Sequence, residues 1–355
     1  MKILYFGPIT PKGKPNTGGY EAANRKNIDK LSELGITVKE FPNPRVPKRF
    51  GVIGKLVYLK LFLTPFLILK YVGRKDVIIH TTPLYGNLLE PSLLLLFLAK
   101  LLNIPTLLDI RAGSLIYYYN TKGIRKKFKL RLMIKLATKI TVEGSSYINE
   151  IKNIMKINKD IRYFPNVAYC NKTLTPPPNY NNINLFYFGR ITPNKGIDVL
   201  LDLIKELPSN YHLFLAGPIA HNIDKDLILK NRKTTYLGLL THNELITEMG
   251  KMHFFIFPTR HVGEGQSNSL IEAMANGLVP IASNQGFNAE VVSDCGFILK
   301  QNSTGKEYAD TIQKINEQLW NLLRKKCIMH INLNHNINIE IPKLIKIYKE
   351  ILSNE

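Results

Sequence analysis

Acidic residues are scarce in this sequence. Its 27 Asp and Glu stand against 48 Lys and Arg, leaving a formal net charge of +21. An excess of that size points to an anionic partner or surface: nucleic acid, acidic lipid headgroups or a phosphorylated substrate. Cysteine is scarce as well. Cys170, Cys295 and Cys327 are odd in number and lack metal-ligand spacing, so three ordinary thiols in a reducing compartment are expected. No apolar run reaches the roughly 20 uninterrupted residues of a spanning helix. Segment 50–72 is broken by Lys55, Lys60, Pro65 and Lys70, and segment 88–102 is short between Pro91 and Lys100. Both read as buried helices of a large α/β domain, with a membrane-surface role as the lesser alternative. The opening "MKILYFGPITP" holds too short an apolar run for a signal segment and reads as a first buried strand. No short-period repeat is present. No G-x-G-x-x-G follows the first strand, which disfavours a dinucleotide oxidoreductase.

What is present is a repeated alternation. At 355 residues the chain exceeds one ordinary core, so two domains are expected. Short β-like runs alternate with helical spacing: "KILYFGP" (2–8), a helix over 20–34 closed by Gly35, then "ITVKEF" (36–41), "DVIIHT" (76–81), "IPTLLDI" (104–110), "ATKITVE" (137–143) and "IRYFPN" (161–166). The proline-rich stretch 169–183 reads as a linker. The alternation then restarts with "NLFYFGR" (184–190), a helix over 196–207, "YHLFLAG" (211–217), "TTYLGLL" (234–240), "HFFIFPT" (253–259) and "LVPIAS" (278–283). Strand then helix, repeated, predicts an α/β protein with two Rossmann-like, doubly wound parallel sheets. The expected division is 1–170, 171–335 and a terminal helix, 336–355, packing back on the first domain.

In open parallel sheets, ligands bind beyond the carboxyl ends of the strands. After "HFFIFPT" comes "RHVGEGQSNSLIEAMANG", with Glu264 in a glycine-flanked turn and Glu272 on the following helix. Ser267 and Ser269 are capping candidates. The amides of Gly265, Gln266, Ser267, Asn268 and Ser269 would form a diphosphate site at the positive helix end, and Glu272 is within reach of a ribose. The alternative is a capped surface helix with two solvated acids. In "FYFGRITPNKG", Arg190 and Lys195 stand between a strand and a helix, where they could neutralise a pyrophosphate or be ordinary exposed cations. A third feature is Gly18-Gly19 after the first strand, weak alone because most glycine pairs are merely turns.

Taken jointly, Glu264-x7-Glu272, Gly189-Arg190 with Lys195-Gly196, Gly18-Gly19 and the domain order resemble the retaining glycosyltransferases of the GT-B fold, family 4-like, of the bacterial surface-polysaccharide type. The resemblance covers most of the chain and is motif-specific mainly over 184–299. It implies two domains facing across a cleft, with Glu272 on the ribose of a nucleotide diphosphate sugar and Glu264 on the donor sugar's hydroxyls. It gives Arg190 and Lys195 the diphosphate, and Gly18 and Gly19 the acceptor side. It further implies a glycan or lipid-diphosphate-linked acceptor and a cytoplasmic enzyme, peripheral on the inner face of the membrane. The first-domain histidine usual in the family is absent from "LLDIRAGS", so Asp109, Arg111 and Glu143 are expected to face the cleft instead, or to form structural ion pairs. Gln266 and Ser267 also stand where many members have phenylalanine and glycine.

No metal or other cofactor is expected, since Arg190 and Lys195 would supply the charge. Asp224-Lys225-Asp226, a D-x-D pattern, reads as a pair of helix-start acids. Segment 122–139 carries Phe128, Leu132 and Leu136 on one face and Lys127, Arg131, Lys135 and Lys139 on another. That suits an anionic membrane surface or, nearly as well, the solvated face of a sheet-covering helix. No nucleic-acid motif supports the other outlet for the charge. The rival readings are a sugar–nucleotide epimerase or phosphorylase of the same shape, and a non-catalytic lipid- or glycan-binding partner.

Overall fold

The computed structural model describes residues 1–13, 18–43, 51–83, 89–170 and 178–353. It divides into two compact units, Met1–Pro165 with Ile337–Glu355, and Asn166–Asn336. The changeovers lie at 165/166 and 336/337, where the sequence reading put them at 170/171 and 335/336. Residues 171–177 of the proline-rich linker lie outside the described residues.

The first unit contains β1 (Lys2–Gly7), α1 (Gly19–Glu33), β2 (Thr37–Pro42), α2 (Val52–Leu63), a 3-10 helix (Thr64–Tyr71), β3 (Val77–Thr81), α3 (Leu89–Leu101), β4 (Thr106–Ile110), α4 (Leu115–Thr121), α5 (Ile124–Leu136), β5 (Lys139–Val142), α6 (Ser146–Asn153) and β6 (Ile161–Tyr163). The sheet order is β2-β1-β3-β4-β5-β6, all parallel. Every residue of β3, β4 and β5 is buried, as continuous apolar runs require when both faces are covered. The strand order reverses between β1 and β3.

The second unit contains β7 (Ile183–Phe188), α7 (Ile197–Glu206), β8 (Tyr211–Ala216), α8 (Lys225–Leu229), β9 (Thr234–Tyr236), α9 (His242–Met249), β10 (Phe254–Phe257), α10 (Asn268–Ala275), β11 (Val279–Ser283), α11 (Asn288–Val292), β12 (Phe297–Leu299), α12 (Gly305–Gln313) and α13 (Glu317–Asn334). Its order, β12-β11-β10-β7-β8-β9, is the doubly wound one, with the reversal between β7 and β10. The register pairs Leu185 with Phe254 and Phe186 with Phe255, so the two central strands end side by side. The α/β expectation with two doubly wound sheets therefore holds.

The last helix, α14 (Ile337–Ser353), returns to the first unit and buries Leu344, Tyr348 and Ile351. Glu350 binds Lys139 at 2.7 Å. This removes Lys139 from the exposed basic face expected of 122–139: it is the first residue of β5 and 7% exposed.

Two further expectations are corrected. Segment 50–72 is not a buried pair of helices. Leu61, Pro65, Ile68 and Tyr71 are buried, but Leu56, Leu59, Leu63, Phe66, Leu67, Leu69 and Val72 are exposed. An apolar run reads as buried because it carries no period that distinguishes an inner from an outer face. On α5 the buried side chains are Leu130, Met133 and Ile134, while Phe128 points to solvent.

Candidate active site

Both strand-order reversals carry polar groups. At the β7/β10 reversal, β7 is followed by Gly189 and Arg190, and a single 3-10 turn, Pro193–Lys195, leads into α7. Gly196, at φ 80°, makes that junction; a Cβ there would lie 2.3 Å from the Pro258 carbonyl oxygen, so the turn can press onto the loop after β10. The same two loops are tied by the Arg260 amide, which donates to the Asn194 carbonyl at 2.8 Å. Arg260 also pairs with Asp198 at 2.5 Å.

This apposition brings together residues 69 apart in sequence. Lys195 Nζ donates to Glu264 Oε2 at 2.5 Å. Thr259 Oγ1 donates to the same oxygen at 2.8 Å, and Ser283 Oγ holds the Thr259 carbonyl at 2.6 Å. The Lys195 ammonium also lies 5.2 Å from the centre of the Phe257 ring. Glu264 is 8% exposed. Its turn is closed by its own amide donating to the His261 carbonyl at 2.9 Å. Arg190 is exposed, and its carbonyl accepts from Tyr187 Oη at 2.8 Å. Burial, then the nearby Glu264 carboxylate, pushes the Tyr187 phenol well up, keeping it a neutral donor. His261 lies in the field of Glu264, Lys195 and Arg190, and burial holds its pKa below the ordinary histidine value.

Beyond Glu264 the chain enters α10. Ser267 caps it, accepting from the Leu270 amide at 3.4 Å, and the Ser267 and Ser269 hydroxyls lie 2.9 Å apart. Glu272 is half-buried one turn along. Gln266 is a tie across the unit: its side-chain oxygen accepts from the Asn166 amide at 2.9 Å, and its carbonyl from Asn166 Nδ2 at 2.7 Å. Half-buried Gly265 and Asn268 flank this stretch. Asp224 accepts from the Asp226 amide at 3.0 Å as the cap of α8, and Asp226 pairs with Lys230. The D-x-D is therefore a helix start. Among the described residues no group of three or more His, Cys, Asp or Glu is placed to hold a metal ion.

At the β1/β3 reversal the polar groups are closed in. Gly18 and Gly19 open α1, as its cap position and its first residue. His80, on β3, is a buried histidine of the first unit that the sequence reading did not name. It lies in "DVIIHT", disguised as core by its apolar neighbours. Its Nδ1 accepts from Tyr348 Oη at 2.6 Å and its Nε2 faces Asp109 Oδ2 at 3.3 Å. Arg111 Nε binds that oxygen at 2.5 Å, and Thr141 Oγ1 binds the other at 2.9 Å. The Tyr5 ring stacks on His80 at 4.1 Å.

Burial opposes the Asp109 charge, but Arg111 and His80 outweigh it and hold the carboxyl below the usual range. Burial lowers the pKa of His80, so the imidazole is neutral and donates from Nε2. The Asp109 side chain has no exposed surface, and Arg111 and Glu143 are also buried. Asp109 and Arg111 form a buried ion pair. Thr259 and His261, beside Glu264, were not named as candidates, although Thr259 ends "HFFIFPT" and His261 lies in the turn after it.

Comparison with known proteins fits this architecture. Residues 182–318 match the family model described as glycosyl transferases group 1. An uncharacterized glycosyltransferase of Methanocaldococcus jannaschii is 26% identical over 61% of the chain and 60% of its own length. O-antigen chain mannosyltransferase B of Escherichia coli is 28% identical over 38% of the chain and 37% of its own length. The chain thus spans less than two thirds of the curated relatives it matches. The Anabaena protein HepE, solved in complex with UDP, superposes with a TM-score of 0.72 at 16% identity, over 99% of this chain and 100% of that one. The match over residues 182–318 and the shared fold both agree with the resemblance to GT-B glycosyltransferases read in the sequence.

Proposed function

We propose that the protein is a retaining glycosyltransferase that moves a sugar from a nucleotide diphosphate sugar to a glycan or lipid-linked acceptor in surface-polysaccharide assembly. The observation that carries this reading is the Lys195–Glu264 pair, 2.5 Å long, at the β7/β10 reversal and beside the Ser267-capped start of α10. One acid and one cation are held together where a doubly wound sheet binds ligands. An ammonium has three N–H donors, so pairing with Glu264 leaves donors for a phosphate. The UDP in the HepE structure and the polysaccharide role in the name of the mannosyltransferase support the donor and acceptor classes.

In this reading the diphosphate lies against Arg190, Lys195 and the first amides of α10, and Glu272 takes the ribose. Glu264 accepts from a hydroxyl of the donor sugar and keeps Lys195 in place. The acceptor oxygen bonds to the anomeric carbon from the face that the diphosphate leaves. The bond from that carbon to the phosphate oxygen breaks, and the acceptor's proton passes to the departing phosphate. Arg190 and Lys195 neutralise the charge that develops there, which makes the transfer metal-independent. The enzyme works in the cytoplasm at an anionic membrane surface. No helix among the described residues is long and apolar enough to cross a membrane.

A panel of nucleotide sugars, assayed for transfer and for donor hydrolysis, tests the reading. Wild-type protein should release nucleoside diphosphate from one donor class with retention at the anomeric centre, and Glu264→Ala should not. Interconversion of the donor without transfer would indicate an epimerase. Inertness towards every donor would indicate a binding protein.

A further inference from the structure

We infer that the outward face of α2 and the 3-10 helix after it is the surface by which the first unit enters an anionic lipid bilayer. The inference rests on the proposed membrane location and adds which surface makes contact.

Leu56, Leu59, Leu63 and Phe66 recur at the spacing of one helical face and are 44–60% exposed. The opposite side of the same segment is anchored, with Leu61, Ile68 and Tyr71 buried. The exposure is therefore a designed face on an ordered element, not loose packing. α3 packs on α2, on the 3-10 helix and on α5. On α5, Ile124 is 83% and Phe128 64% exposed. Soluble proteins seldom leave a helical face of this apolarity uncovered.

Charge selects the occupant. Residues 51–75 hold five cations and no acid, and α5 adds six cations and no acid. Lys55, Lys60 and Lys70 are all exposed beside the exposed leucines. A second copy of the chain meeting this face by a two-fold contact would set these cations against their own images. A bilayer with acidic headgroups satisfies both parts. Leucine and phenylalanine tips enter the boundary between headgroups and acyl chains, and lysine stems lie along them with ammonium groups on lipid phosphates.

Cosedimentation of the full chain with vesicles tests this. Wild-type protein should bind phosphatidylcholine vesicles containing phosphatidylglycerol and not pure phosphatidylcholine. Leu59→Gln/Leu63→Gln should lower that binding on the order of tenfold, with an unchanged thermal unfolding midpoint because both side chains are exposed. Lys126→Gln/Lys127→Gln should lower it less and make what remains less salt-sensitive. Binding of Leu59→Gln/Leu63→Gln equal to wild type would overturn the inference. So would absent vesicle binding together with self-association that the same double variant abolishes. Turnover of a water-soluble acceptor reports separately on the transferase reading: vesicle binding without any sugar transfer still supports this surface while contradicting that reading.

Discussion

The two sheets reverse direction at equivalent places and fill them in opposite ways. In the second unit the reversal holds Lys195, Glu264 and Arg190, joined by a short ion pair but open enough that Arg190 is exposed. In the first it holds His80, Asp109 and Arg111, closed in by Tyr5 and by Tyr348 from the last helix. Similar charges in similar topology thus differ in how far they are closed off from solvent. A carboxylate with all its partners in the protein and no exposed surface holds a fold together; one that shares a lysine beside the start of a helix can hold a ligand.

That contrast can be broken by substitution. The largest effect is expected from Lys195→Ala, which should lower sugar transfer by about 10²–10³-fold or more, in steady-state assays, because it removes charge stabilisation of the leaving diphosphate. Asp109→Ala should act on stability instead. Breaking a buried pair costs about 3–5 kcal/mol, seen as a lower midpoint in urea unfolding, because Arg111 is left without its carboxylate.

A pH effect of intermediate size should follow. His80 and His335 both have pKa values lowered by burial, His335 to about 4. The unfolded chain binds protons at these sites below about pH 6.5 while the folded chain does not, so stability is full above that value and falls as pH drops from it. Urea unfolding at pH 7.5 and 5 should show the loss, and His335→Gln should reduce it. The smallest effect is assigned to Ser267→Ala, which removes the α10 cap and should cost about 1 kcal/mol, readable as a small shift of the thermal midpoint.

How much of this was legible in the sequence differs by element. The central strands were, because a parallel strand buried on both faces must be a continuous apolar run, as in "NLFYFG". The start of α10 was legible from Ser267 and the flanking glycines. Pairing at long range was not: nothing local links Lys195 to Glu264, or Gln266 to Asn166, and the second tie is part of why the second unit begins at Asn166. His80 was hidden because a histidine inside "DVIIHT" reads as strand core, which by burial it is. The outward leucines of α2 were misread for the converse reason, since apolarity predicts burial only where a core is available to receive it.

The central claim is that the β7/β10 reversal grips a diphosphate. Titration calorimetry with nucleoside diphosphates tests it most directly. The account predicts that the wild type binds at least one of them and that Arg190→Ala/Lys195→Ala weakens that binding at least about tenfold, since charge-assisted contacts are each worth more than 1.4 kcal/mol. Equal affinity in wild type and double variant would contradict it.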